Sequence, residues 1–135
     1  MQKSAGWENR LSLYLGEAAR KPFVEGHHDC ALFAAGAVLA MTGVDLAADW
    51  RGRYNTTRGG LRVLRRAGYA DHVALASVHF AERPAILSAV PGDLAAVETT
   101  DGQALGVVQG EMIYILRREG LGLVPLTLAA RVWEV

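Results

Sequence analysis

Gly26-His27-His28-Asp29-Cys30-Ala31-Leu32-Phe33 sets a cysteine directly behind a helix-capping aspartate and at the head of a long apolar run. An aspartate in that position supplies a side-chain oxygen to the first free N–H groups of a helix. The spacing predicts a helix over Cys30–Met41, with Asp29 as its N-cap and Thr42-Gly43 as its end. Ala31, Leu32, Phe33, Ala34, Ala35, Val38 and Leu39 make this helix apolar almost all round, so it belongs in the middle of a domain. Cys30 then meets unpaired backbone N–H groups and the positive end of the helix dipole, and both favour the nucleophilic thiolate. A cysteine in an apolar helix also serves as a small core residue, and these eight residues leave both roles open.

Upstream, Trp7, Leu11, Tyr14 and Leu15 recur at helical spacing and predict a helix over about Trp7–Ala19, ended by Pro22 and Gly26. Downstream, a third helix starts near Gly59 or Gly60, carries Leu61, Val63 and Leu64 with several arginines, and ends at Gly68. The stretch Asp71–Phe80 fits helix and strand equally. After Pro91-Gly92-Asp93 the composition changes. Leu94–Glu98, Ala104–Val108, Met112–Arg117, Gly122–Leu126 and Arg131–Val135 read as five short strands, separated by Asp101-Gly102, Gln109-Gly110 and Glu119-Gly120. Helices first and an antiparallel sheet afterwards make an α+β domain, with a helical part over about 1–90 and a sheet part over about 91–135.

At 135 residues there is room for one core and one domain, and 51% apolar with 21% charged residues describes a globular chain. Fourteen basic residues balance fourteen acidic ones, which gives no electrostatic reason to expect nucleic acid. Arg58, Arg62, Arg65 and Arg66 at helical spacing read as a solvated face. A single cysteine cannot form an internal disulfide. The first ten residues carry charges around Trp7 without an apolar run, so no secretory signal is expected. The longest apolar run, Ala31–Met41, is about half of a membrane span, and no membrane insertion is expected.

Several pieces taken together resemble a known family. A short helix, a loop ending in Asp29-Cys30, a buried helix and then Gly92-Asp93 opening an antiparallel sheet look like the NlpC-type cell-wall endopeptidases, which have a papain-like fold. The chain is most similar to a group of small phage and prophage proteins related to them and encoded among tail genes. Met41-Thr42-Gly43-Val44-Asp45, Trp50-Arg51-Gly52-Arg53-Tyr54, Ala104-Leu105-Gly106-Val107-Val108 and Arg131-Val132-Trp133 carry the likeness, which spans nearly the whole chain.

The resemblance implies that Cys30 is the candidate nucleophile and that a histidine should open the second sheet strand as its base. Gln103-Ala104-Leu105-Gly106-Val107-Val108 stands there instead, with Ala104 or a neighbour in the histidine's place. Met112, Ile113 and Tyr114 on the next strand supply no residue to orient a base, and Phe23 sits where active members tend to have a tyrosine hydroxyl. His27 and His28, just upstream of Cys30, are the candidates to fold back as a replacement base; otherwise they are loop or capping residues. His72 and His79 read as surface or core residues. His27, His28, Asp29 and Cys30 can each ligate zinc, but adjacent residues rarely converge on one ion and no second cluster completes a site, so neither a metal nor a cofactor is expected. Gly59-Gly60 lacks the lysine and spacing of a phosphate loop. Trp7, Trp50 and Trp133 are expected to lock the packing, with their N–H groups finding acceptors. Trp50–Tyr54 is either a packed loop or a contact surface.

Three functions follow as expectations. One is a phage or prophage tail-tip assembly protein on a degenerate peptidase scaffold, located in the virion tail and, during assembly, in the host cytoplasm, with other tail proteins as partners. Another is an active cysteine peptidase or amidase that cuts peptidoglycan stems, with Cys30 attacking and His27 or His28 moving the proton. The third is a plain binding or regulatory domain. As an N-cap alone, Asp29 should contribute about 1 kcal/mol.

Overall fold

The computed structural model describes residues 1–135 as an α+β domain with four helices and a six-stranded antiparallel sheet. The helices are α1 (Trp7–Arg20), α2 (Cys30–Thr42), α3 (Thr57–Arg66) and α4 (His72–His79). The strands are β1 (Ala81–Glu82), β2 (Leu94–Thr99), β3 (Gly102–Val108), β4 (Met112–Arg117), β5 (Gly120–Pro125) and β6 (Ala129–Glu134). Their order in the sheet is β1-β6-β2-β3-β4-β5.

Local chemistry sets the helix starts. Asp29 accepts from the Leu32 N–H, Thr56 from the Gly59 N–H and Asp71 from the Ala74 N–H, and each fills a donor that a helix start leaves free. The last of these caps settles Asp71–Phe80 as helix α4. Where α2 ends, Gly43 takes φ +81° and its N–H bonds to the Leu39 carbonyl. That left-handed turn suits a residue without Cβ.

Both faces of the sheet are covered, which is why β2 is buried at four successive positions rather than at alternate ones. Leu94 and Ala96 face a cluster with Phe33, Ala37, Val38 and Met41 of α2, Leu11 and Ala18 of α1, and Val73 and Ala76 of α4. Ala95 and Val97 face a second cluster with Val108, Ile113, Ile115 and Val132. The short 3-10 turns Ile86–Ser88 and Leu126–Leu128 close over that side.

Two expectations are corrected. The helical and sheet parts are not cleanly split at residue 91, because β1 lies in the helical half of the chain and pairs antiparallel with β6 (Ala81 opposite Glu134). The connection is pinned by an ion pair. Asp93, fully buried, accepts from Arg83 Nε at 2.5 Å and from the Val90 N–H at 2.9 Å, which fixes the Pro91-Gly92 turn that launches β2. Trp133 is also fully buried, but its indole N–H has no acceptor. It is held by packing and by the Arg131 guanidinium 5.0 Å from its ring centre.

The α1–α2 interface shows how tight the first core is. Tyr14 donates its hydroxyl to the Phe33 carbonyl at 2.7 Å, and burial raises its pKa well above the usual tyrosine range. The same hydroxyl lies against the Cα of Gly36, so an added Cβ there would collide with it. In an open helix Gly→Ala gains about 1 kcal/mol. Here Gly36→Ala is expected to cost roughly 1–3 kcal/mol through overpacking. Urea unfolding checks this; an unchanged or raised midpoint would contradict the interface.

Candidate functional site

The loop before α2 is built around one carboxylate. Gly26 takes φ +83° and lies so close to the Tyr54 carbonyl that no side chain fits, and its own carbonyl accepts from the Gly52 N–H at 2.8 Å. Its N–H donates to Asp29 Oδ2 at 3.0 Å, while Asp29 Oδ1 accepts from Leu32 N–H at 3.0 Å. The Tyr54 hydroxyl donates to Oδ2 at 2.5 Å. Asp29, 4% exposed, thus joins loop, helix start and the Trp50–Tyr54 segment.

Cys30 follows as the first residue of α2 and lies beside β3. The hydrogen bonding of that strand explains why there is room for it. The Val108 N–H and C=O bond to Asp93 and Gly92, toward β2. By the alternation of a β-strand, the peptide groups of Leu105 and Gln103 point the other way, toward β4. Yet β4 pairs with β3 only at Val107–Tyr114 and Val108–Ile113. The first half of β3 therefore has an open edge. Cys30 faces the Leu105 N–H at this edge, and His72 occupies the Gln103 carbonyl, its Nε2 at 2.6 Å. A carbonyl only accepts, so His72 carries its proton on Nε2.

The groups line a cavity of about 380 Å³ between α2, α3, α4 and β3. Leu61, Leu64, Leu75 and Trp50 make much of it apolar, and Cys30, Tyr54 and His72 are among its polar groups. Phe23 lines it with the Arg118 guanidinium 5.4 Å from its ring centre. Glu25 accepts from the Thr57 hydroxyl at 2.6 Å and lies 3.4 Å from Arg118, which ties the loop to α3 and to the β4–β5 turn.

The electrostatics reverse the expectation for Cys30. Burial pushes its thiol up to about 11, with the Asp29 and Glu25 carboxylates pushing the same way, against the opposing pull of the Leu105 and Ala31 N–H groups. Desolvation and nearby negative charge outweigh the helix start. The thiol is neutral at pH 7. Tyr54 is likewise held in its neutral form, first by burial and then by its bond to Asp29.

The histidine candidates fall elsewhere. His28 Nε2 lies 3.1 Å from the Ala18 carbonyl, turned to α1, and exposed His27 packs near Gly52. Neither lines the Cys30 cavity, so the structure does not bring either proposed base to the thiol. His79 is exposed beside Tyr69. Ala104 does line the cavity, and Ile113 is buried on the other face of the sheet. Two cavity residues were not anticipated. Tyr54 supplies a hydroxyl close to Cys30, although Phe23 holds the expected place; its long loop separation from Cys30 gave no periodic signal. His72 was hidden in the segment that fitted helix and strand equally.

A neutral thiol, a tyrosine hydroxyl committed to a carboxylate and an imidazole bonded to a backbone carbonyl can bind a ligand in the cavity. They do not form a charged nucleophile. The family described as a domain of unknown function (DUF6950) matches residues 2–135, and the chain belongs to it. No curated protein matches the sequence.

Because Asp29 does more than cap α2, Asp29→Ala should cost roughly 2–4 kcal/mol, the cap plus the unsatisfied Gly26 N–H and Tyr54 hydroxyl. Tyr54→Phe, which leaves the cap in place, should cost about 1 kcal/mol. Chemical denaturation of both variants checks the ranking; equal losses would contradict the three-way role of Asp29.

Proposed function

We propose that this member of DUF6950 is a catalytically silent protein on a papain-like, NlpC-type scaffold, and that it serves in assembly of a phage or prophage tail tip. The scaffold assignment rests on Asp29-Cys30 opening a buried helix beside β3, on Gly92-Asp93 launching the sheet, and on the motif likeness along the chain. The loss of catalysis rests on one observation above the rest. The resemblance puts Ala104 or a neighbour of β3 where the peptidases have their base, none of Gln103–Val108 is a histidine, and the Cys30 thiol is held neutral. Fold alone does not confer activity. The tail-tip role comes from the resemblance to tail-gene products, and other tail proteins are its partners.

A second function is favoured by a single feature. His72 enters the Cys30 cavity from α4, and its anchor at Gln103 lies two residues, roughly 7 Å along the strand, from Leu105 beside the thiol. With Nε2–H donated to the Gln103 carbonyl, Nδ1 keeps the lone pair with which His72 would act as the base of a cysteine peptidase or amidase on peptidoglycan stems. The Cys30 thiol, pushed up by burial, opposes this in the free protein.

Iodoacetamide labelling separates the two. At pH 7 Cys30 should react far more slowly than a free cysteine, His72→Ala should leave that rate unchanged, and peptidoglycan should stay undigested. Rapid labelling that falls in His72→Ala, with wall digestion lost in Cys30→Ser, would establish the enzyme instead. For the silent scaffold, Cys30→Ala should change stability by no more than about 1–2 kcal/mol and leave assembly with tail partners intact.

A further inference from the structure

The charge of this chain is segregated. Overall it is neutral, yet α3 carries Arg58, Arg62, Arg65 and Arg66 and no acidic residue, so the remaining residues hold ten basic against fourteen acidic groups. At 100° per residue these four arginines fall on one arc, about 100° wide, and together with Leu61 they border one shallow surface hollow. All four are exposed, and none makes an ion pair or a side-chain hydrogen bond. Elsewhere Arg51, Arg83, Arg118 and Arg131 are each paired with a carboxylate. The unpaired Arg20, Arg53 and Arg117 lie outside α3.

Four like charges on ten residues repel one another, and no acidic residue of α3 offsets them. The helix has no buried residue; its inward arc, Gly60 and Leu64, lines the Cys30 cavity, and Leu61 and Arg65 at the edge of that arc border both the cavity and the outer hollow. Nothing in the packing of α3 requires arginine on the outward arc. Guanidinium groups bind carboxylates in bidentate fashion and are enriched at protein interfaces.

We propose that the outward face of α3 is a docking surface for an acidic segment of a partner protein, with carboxylates on Arg58, Arg62, Arg65 and Arg66 and an apolar side chain over Leu61. Two features favour a protein over nucleic acid. The patch is only about 15 Å long, while a phosphate backbone would run on across a body with an excess of acidic groups and be repelled. Leu61 among the arginines also gives an apolar contact that a sugar-phosphate backbone does not use. Leu61 and Arg65 border the Cys30 cavity as well as the outer hollow, but the docking rests on the charge of the helix and not on the thiol, so the inference stands whether or not Cys30 is reactive.

The probe is a fluorescein-labelled peptide of glutamates and aspartates around a central leucine, followed by anisotropy at low and at near-physiological salt. Arg62→Glu/Arg66→Glu should weaken binding about tenfold or more, and Arg62→Gln/Arg66→Gln should weaken it less. Arg20→Glu/Lys21→Glu makes the same charge change at the C-terminal end of α1 and should alter affinity by less than about twofold. Circular dichroism confirms that the variants are folded. No measurable binding, equal loss in the α1 variant, or tighter binding and displacement by duplex DNA of equal charge would overturn the proposal.

Discussion

The site end of the molecule depends on the Asp29 carboxylate. One oxygen caps the central helix and the other holds the Gly26 N–H and the Tyr54 hydroxyl. A buried carboxylate with three donors is satisfied, and removing the carboxylate strands all three donors at once, which costs more than losing any one of them. The backbone of Gly26 extends the same anchor to Gly52. The start of α2, the preceding loop and the segment leading to α3 are therefore one mechanical unit, and Cys30 is placed by that unit rather than by its own contacts.

That placement also explains the quiet thiol. A helix start supplies partial positive charge, but it acts over the first turn only and is modest in size. Here Cys30 is largely, not fully, buried, and the carboxylates of Asp29 and Glu25 act on its sulfur. The residue that holds the helix start in place also opposes ionisation of the cysteine next to it. Peptide groups at the open edge of β3 are met by Cys30 and His72, so the gap between β3 and β4 is accounted for without a paired strand.

Much of the fold could be read in the chain itself. The Asp-Cys start of α2, its all-round apolar face and its Gly43 end were visible because capping and termination are local, and the five longer strands were visible because Gly and Asp turns separate them. Strand β1 escaped because two residues carry no periodicity, and it forms only through its pairing with β6. Asp71–Phe80 was undecided because its apolar residues fit both periods; the Asp71 cap and packing against the core decided it. The site was legible in part. Cys30 and Asp29 lie where the motif put them, but the partners of the cysteine depend on contacts distant in sequence. His27 and His28 looked suitable by adjacency, whereas the tight loop through Gly26 turns His28 toward α1. Tyr54 and His72 reach the cavity from other elements, which no spacing rule anticipates.

The two faces of α3 link these observations. Its inward side closes the cavity and its outward side presents unpaired positive charge. A cavity whose cysteine is held neutral, beside a helix that displays unpaired charge, fits the proposed role of holding partners rather than cutting them. The most direct test of this account is an ultraviolet titration of the Cys30 thiolate in the folded protein, with Cys30→Ala as the blank. The account predicts ionisation only near pH 11. A thiolate already formed at neutral pH would show that the cysteine is poised for attack, and the silent-scaffold account would be wrong.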